Sequence, residues 1–181
     1  EICACLVGSE MCIRDRSLSD VGSSFRSITE VNMTDIKVYE NISIVTFSDV
    51  PSRKRFVSTT LSAVAESGIN VDMISQTPPK SDMFSFGFTF SDDDIPTLLT
   101  VLPRITAVHG ITPCVNSGNV KIVIKSEEMI DQAGFAAKVF QACENICADV
   151  MLITTSVDEI SLLVGDSFAA SLPEEIKKVL G

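Results

Sequence analysis

Phe56–Thr77 reads FVSTTLSAVAESGINVDMISQT, and Phe135–Ser156 reads FAAKVFQACENICADVMLITTS. A constant offset of 79 lays one on the other without a gap: Phe56 falls on Phe135, Ala63 on Ala142, Val71 on Val150 and Ile74 on Ile153. Carried backwards, the offset places Ile44-Val45 on Val123-Ile124. Apolar and polar character agrees along both windows. Self-similarity at a fixed period marks one folding unit used twice.

Each copy has the same grammar. A strand comes first: Ile42, Ile44 and Thr46 face one way, Val45 and Phe47 the other. Helical spacing follows, through Phe56, Thr60, Leu61, Val64 and Ala65 in the first copy and Phe135, Val139, Phe140 and Cys143 in the second. Gly68 is placed to cap the first helix at its C-terminus. Strands are expected at Asn70–Gln76 and Met83–Phe90, with Pro78-Pro79 turning the chain between them. Phe84, Phe86, Phe88 and Phe90 alternate, so one face of that strand is aromatic and should pack on the helices. Asp92-Asp93-Asp94 before Pro96 opens a helix to about Val108, its carboxylates at the positive end of the helix dipole. Ile111–Val115 is expected as a fourth strand. The second copy repeats the order with a strand at Val120–Lys125, a helix at Gln132–Cys147, strands at Asp149–Thr155 and Glu159–Val164, and a helix at Pro173–Leu180.

Strand, helix, strand, strand, helix is the split β-α-β order of an α+β, ferredoxin-like fold, an antiparallel sheet with helices on one face. The expected domains are 33–116 and 117–181, behind a leader of 1–32. The second copy stops after its last helix, so its final strand is either missing or supplied by another segment.

Composition narrows the function. Hydrophobic residues make up 45% of the 181 and mean hydropathy is +0.32, enough to bury a core. No apolar run approaches the roughly 20 residues of a membrane-spanning helix. The net charge of −10 repels phosphate backbones, and the basic residues cluster only at Arg53-Lys54-Arg55, so nucleic acid is not expected as a partner. The six cysteines read as reduced thiols in a cytoplasmic protein, because a chain this long and apolar needs no disulfide scaffold. Leu6–Arg16, LVGSEMCIRDR, resembles the translation of a sequencing-library adapter. On that reading Cys3, Cys5 and Cys12 are artefact, Ser17–Asn32 is a disordered leader and the natural chain starts at Met33.

GINVDMISQ (Gly68–Gln76), followed a repeat later by MLITTS (Met151–Ser156), resembles the paired ACT domains of aspartokinase regulatory regions. The resemblance covers roughly Val38 to Leu180 and includes free-standing ACT proteins and small aspartokinase regulatory subunits. It implies an allosteric protein with no catalysis of its own. Its partners would be a small amino acid such as lysine or threonine, a second copy in a homodimer, and an aspartate kinase catalytic subunit. It implies no cofactor. Effectors of this family lie between ACT domains, held by the loop after the first strand and by the strand after the helix. Carried onto this sequence, the family's Asp-Lys-Pro-Gly loop aligns with Ser52-Arg53-Lys54-Arg55, so the acid has become Ser52 and the glycine Arg55. Arg55 is suited to hold a carboxylate in bidentate fashion. Gln76 matches an effector-contact position, and Ser85 a Ser/Thr position near it. In the second copy Gly134 keeps the glycine, Asp149 replaces an asparagine, and Thr155-Ser156 match the family's Thr-Ser. The Gly-x-Gly before Met129 has become Ser126-Glu127-Glu128.

Other chemistry is poorly supported. Cys143 and Cys147 stand four apart on a helix without the further ligands a structural metal needs. His109 has no nucleophile or orienting partner near it in sequence, and no phosphate-binding glycine motif is present. Three functions remain in view: an amino-acid sensor, a ligand-free module that associates through its sheet edges, and the regulatory tail of a full aspartate kinase.

Overall fold

The computed structural model describes residues 34–52, 55–107 and 110–181. The readings made for the leader, Met33, Arg53, Lys54, Val108 and His109 lie outside those residues. The elements in chain order are β1 (Asp35–Pro51), α1 (Phe56–Glu66), β2 (Ile74–Gln76), β3 (Met83–Ser91), α2 (Ile95–Thr106) and β4 (Pro113–Lys125). They continue with α3 (Glu128–Asp131), α4 (Phe135–Asn145), β5 (Leu152–Thr155), β6 (Glu159–Gly165) and α5 (Ser171–Leu180). The six strands form one antiparallel sheet in the order β2-β3-β1-β4-β6-β5. The architecture is α+β, as the sequence predicts.

The two long strands answer the question of the missing edge. Ile42–Pro51 of β1 pairs with β3, while Asp35–Tyr39 pairs with Lys121–Lys125 of β4. The first residues of β1 therefore complete the sheet of the second repeat. In exchange, Pro113–Asn116 of β4 pairs with Ile44–Phe47 and completes the first. The expected strands at Ile111–Val115 and Val120–Lys125 are thus one strand, broken in register rather than in chain. The break falls where Asn41 and Gly118 take positive φ, 59° and 70°. Left-handed residues at bulges bend a ladder without ending it.

Alternation along these strands sorts the core. Val45, Phe47, Phe86, Phe88 and Phe90 are buried beneath α1 and α2 with Phe56, Val64, Leu98 and Leu102. The Phe47 ring meets Phe56 edge-on, with centroids 5.2 Å apart. Ile122, Ile124, Ile160, Leu162 and Val164 do the same beneath α4 and α5, with Val139, Leu172 and Ile176. On the opposite face Ile44, Met73 and Leu163 form a smaller cluster with Ile42 and Leu152. That cluster joins the repeats, and the sheet coils enough to bring the two edge strands β2 and β5 into contact. Alternation with Phe86 and Phe88 puts Gly87 on this face, where a Cβ would meet the Val45 carbonyl oxygen at 3.1 Å.

Several expected boundaries move. The helix expected at Gln132–Cys147 begins only at Phe135, because Gln132 is extended and Gly134 has φ +97°. The expected strand from Asn70 shrinks to Ile74–Gln76. Residues Asp72 and Met73 instead share their backbone hydrogen bonds with Thr89. Ala65 and Phe140, assigned to the apolar stripes, are exposed; Ala142 is buried instead. Gly68 does follow the end of α1 with φ +82°, its N–H donating to the Ala65 carbonyl at 3.0 Å.

Candidate functional site

The turn after β1 and the start of α1 lean over the β2–β3 hairpin. Ser52, Arg55, Val57, Ser58, Leu61, Gln76, Pro79 and Phe84 line an open cleft of about 500 Å³ between them. Each wall has a local cause. Ser52 is fixed because its N–H donates to the Asp82 carbonyl at 2.8 Å, tying the turn to the hairpin. Arg55 is the residue before α1, with its carbonyl accepting from the Thr59 N–H at 3.0 Å and the Ser58 hydroxyl at 3.1 Å. Its side chain makes no capping bond. Gln76 pairs with Phe86 in the ladder and so lies on the helix side of the sheet, at its outer edge. Phe84 supplies a buried floor.

Three of the residues singled out in the sequence, Ser52, Arg55 and Gln76, thus converge on one cleft. Among the described residues no hydrogen bond or ion pair engages the Arg55 guanidinium or the Gln76 amide, and no carboxylate lines the cleft. A guanidinium offers forked donors that fit a carboxylate, and a primary amide both donates and accepts. The apolar wall suits an aliphatic group.

Ser85 is not in this cleft. Alternation along β3 puts it on the other face, where it borders a separate depression of about 320 Å³ with Asp49, Thr77 and Lys80. Its N–H donates to the Thr77 hydroxyl at 2.8 Å.

The second-repeat residues occupy the corresponding place in a different setting. Gly134, at the offset of Arg55, precedes α4 in a left-handed conformation. Thr155, at the offset of Gln76, ends the edge strand β5 and is exposed. Ser156 belongs to the tight β5–β6 turn, its N–H donating to the Glu159 carbonyl at 2.8 Å and its hydroxyl to Asp158 at 3.3 Å. Asp149 is exposed ahead of β5. The segment before α4 folds into the α3 turn, and its Met129 packs on the second core. The Glu127 and Glu128 carboxylates stand at the start of that turn. Sequence reasoning passed over Val57, Ser58, Leu61, Pro79 and Phe84 as site residues. It also passed over Asp131, which the same offset of 79 places opposite Ser52.

Chemistry of other kinds finds little footing. Cys143 is buried on α4, and burial raises its thiol above the ordinary value. Cys147 is exposed. Among the described residues no three His, Cys, Asp or Glu side chains gather as metal ligands would. No described helix is long and apolar enough to cross a membrane.

No protein-family model matches the chain. In sequence it is similar to the aspartokinase of Geobacillus stearothermophilus, at 29% identity over 142 residues, which are 78% of this chain and 34% of the relative. The chain thus spans about a third of the length of the curated relatives it matches. Among solved structures it is similar to the ligand-free regulatory subunit of aspartate kinase from Thermus thermophilus. The TM-score is 0.75 at 22% identity, over 83% of this chain and 99% of that one. It is also similar to E. coli aspartokinase III solved with lysine and aspartate. There the TM-score is 0.59 at 19% identity, over 80% of this chain and 31% of that one. The fold is that of an aspartokinase regulatory subunit.

Proposed function

We propose that this chain is an allosteric amino-acid sensor of the aspartokinase ACT type, cytoplasmic, and that the cleft at Arg55 and Gln76 is its effector site. One observation carries the reading. Residues 24 positions apart in sequence, Ser52 and Gln76, which the ACT resemblance assigns to effector contact, stand with Arg55 on the wall of one cleft. The regulated partner is an aspartate kinase catalytic subunit, and the sensor acts on it as a homodimer. Binding can shift such an assembly only as far as the effector's affinity differs between its two states. Gly134, Asp149, Thr155 and Ser156 form the corresponding place in the second repeat, and a second ligand there belongs to the same proposal.

The test is a thermal-shift series on the protein with each of the twenty amino acids at millimolar concentration. A ligand at one hundred times its dissociation constant stabilises by about 2.7 kcal/mol, a shift of several degrees for a domain of this size. One amino acid should raise the midpoint, and Gln76→Ala should remove the rise. A folded dimer that responds to none would sink the sensor reading.

That result would favour a ligand-free association module, for which a separate observation speaks. β3 pairs with β1 only from Ile42 onward, so Asp35–Tyr39 has β4 on one side and no ladder partner on the other among the described residues. Such an edge is a template for another strand.

A further inference from the structure

The charges around the cleft say which amino acids it admits. Its described walls hold one cation, Arg55, and no carboxylate; the remaining polar groups are the neutral Ser52, Ser58 and Gln76. The other walls, Val57, Leu61 and Phe84, are apolar. We propose that the effector is an α-amino acid with an uncharged, largely aliphatic side chain, and that lysine is excluded by charge.

The argument rests on the sensor reading and goes one step further. Any α-amino acid brings a carboxylate, and Arg55 is the one charged group among the described walls able to receive it. The ammonium group can donate to the Gln76 amide oxygen, a neutral acceptor. A lysine side chain would add a second cation. It would find no countercharge among the described walls, only the like charge of Arg55 and the apolar Val57, Leu61 and Phe84, which is unfavourable. A second carboxylate, as in aspartate, would find no second cation among the described walls once Arg55 is engaged. A branched or thioether side chain meets neither problem and removes apolar surface from water.

The discriminating experiment is calorimetric titration of the full chain with leucine, valine, methionine, threonine, aspartate and lysine, repeated on Arg55→Gln and Gln76→Ala. Arg55 is exposed and makes no capping bond, so its replacement should leave the unfolding midpoint unchanged, which a parallel melt checks. The expected result is saturable binding of one of the four uncharged amino acids. Lysine and aspartate should bind about tenfold more weakly or worse, and Arg55→Gln should weaken the best ligand by about tenfold. Tighter binding of lysine or aspartate, abolished by Gln76→Ala, would overturn the selectivity while leaving the sensor reading intact. Binding of an uncharged amino acid that ignores Arg55→Gln would overturn the carboxylate clamp. No heat with any of the six, together with no midpoint shift from any of the twenty in the melting series, would remove the sensor reading and this inference together.

Discussion

Arg55 and Gly134 hold the same place in the repeat, yet the backbones around them differ. Arg55 has φ −72°, a conformation open to any residue, whereas Gly134 has φ +97°, which favours glycine. The cause lies upstream. β1 continues as a strand to Pro51, and α1 begins at Phe56. β4 stops at Lys125, and the equivalent residues wind into α3 before α4 begins. At Arg55 the backbone is open to any residue, so that position has no need of glycine. The charges differ too: the offset puts Asp131 and Gly134 where Ser52 and Arg55 stand, so the counterpart of a cation-bearing cleft is an acid-bearing loop. The hairpins add to the contrast. β2 and β3 are joined through Pro78-Pro79 and supply a wall of the cleft, while β5 and β6 are joined by a three-residue turn. Two copies of one unit share the order of strands and helices and differ at the mouth.

The cores themselves differ in kind, aromatic in the first repeat and aliphatic in the second. The largest effect should come from cutting into the aromatic one. Phe88 is fully buried, with ring centroids 6.4 Å from Phe47, 5.8 Å from Phe86 and 6.1 Å from Phe90. Phe88→Ala should destabilise by about 3–5 kcal/mol. Because β1 and β4 each belong to both repeats, denaturant unfolding should stay a single transition with a lower midpoint. Two separated transitions would mean that the repeats fold independently despite their shared strands.

The next effect separates the two mouths. With an effector at one hundred times its dissociation constant, Gln76→Ala should forfeit the roughly 2.7 kcal/mol of ligand stabilisation. Thr155→Ala, at the matching place in the second repeat, should keep it. If Thr155→Ala abolished the shift and Gln76→Ala did not, the live site would be the second one.

The sequence made the cores plain and the site only half so. Alternation through Phe84, Phe86, Phe88 and Phe90, and helical spacing through Phe56 and Val64, are local patterns, and local patterns fix which face is buried. The exchange of strand ends was not legible, because Asp35–Tyr39 carries no sign of which strand it will pair with; pairing is settled by the coiling of the whole sheet. Ser85 is near Gln76 along the hairpin but one residue out of phase with Phe84 and Phe86, and that parity puts it on the other face. The α3 turn hid inside a segment expected to be loop, since four residues give too little periodicity to read.

Thr60 offers a smaller test of the same contrast, with the opposite sign. Its side chain is fully buried on α1, and its hydroxyl has no hydrogen-bond partner among the described residues. The offset places it on Val139, equally buried and apolar. Desolvating an unpaired hydroxyl is unfavourable by about 1–3 kcal/mol, and valine matches threonine in shape. Thr60→Val should therefore stabilise by about 1–2 kcal/mol, and Val139→Thr should destabilise by a similar amount, both read from denaturation midpoints. A Thr60→Val protein less stable than the parent would mean that the hydroxyl has found a partner.

The smallest effect belongs to the hairpin turn of the second repeat. Asp158 accepts from Lys125 at 3.0 Å, and this bond holds its carboxyl below the ordinary value while raising the lysine. The pair is open to solvent, so salt screens it and its contribution is slight. A depressed carboxyl stabilises the fold above its unfolded pKa and ceases to do so as pH falls through the folded value. The parent and Asp158→Asn should thus differ a little at neutral pH and low salt, and converge in acid or at high salt. The offset puts Pro79 where Asp158 stands, and Pro79 walls the cleft instead. A large, salt-resistant loss in Asp158→Asn would give this turn a structural role that the geometry does not assign it. Convergence would leave it a solvated end of the sheet.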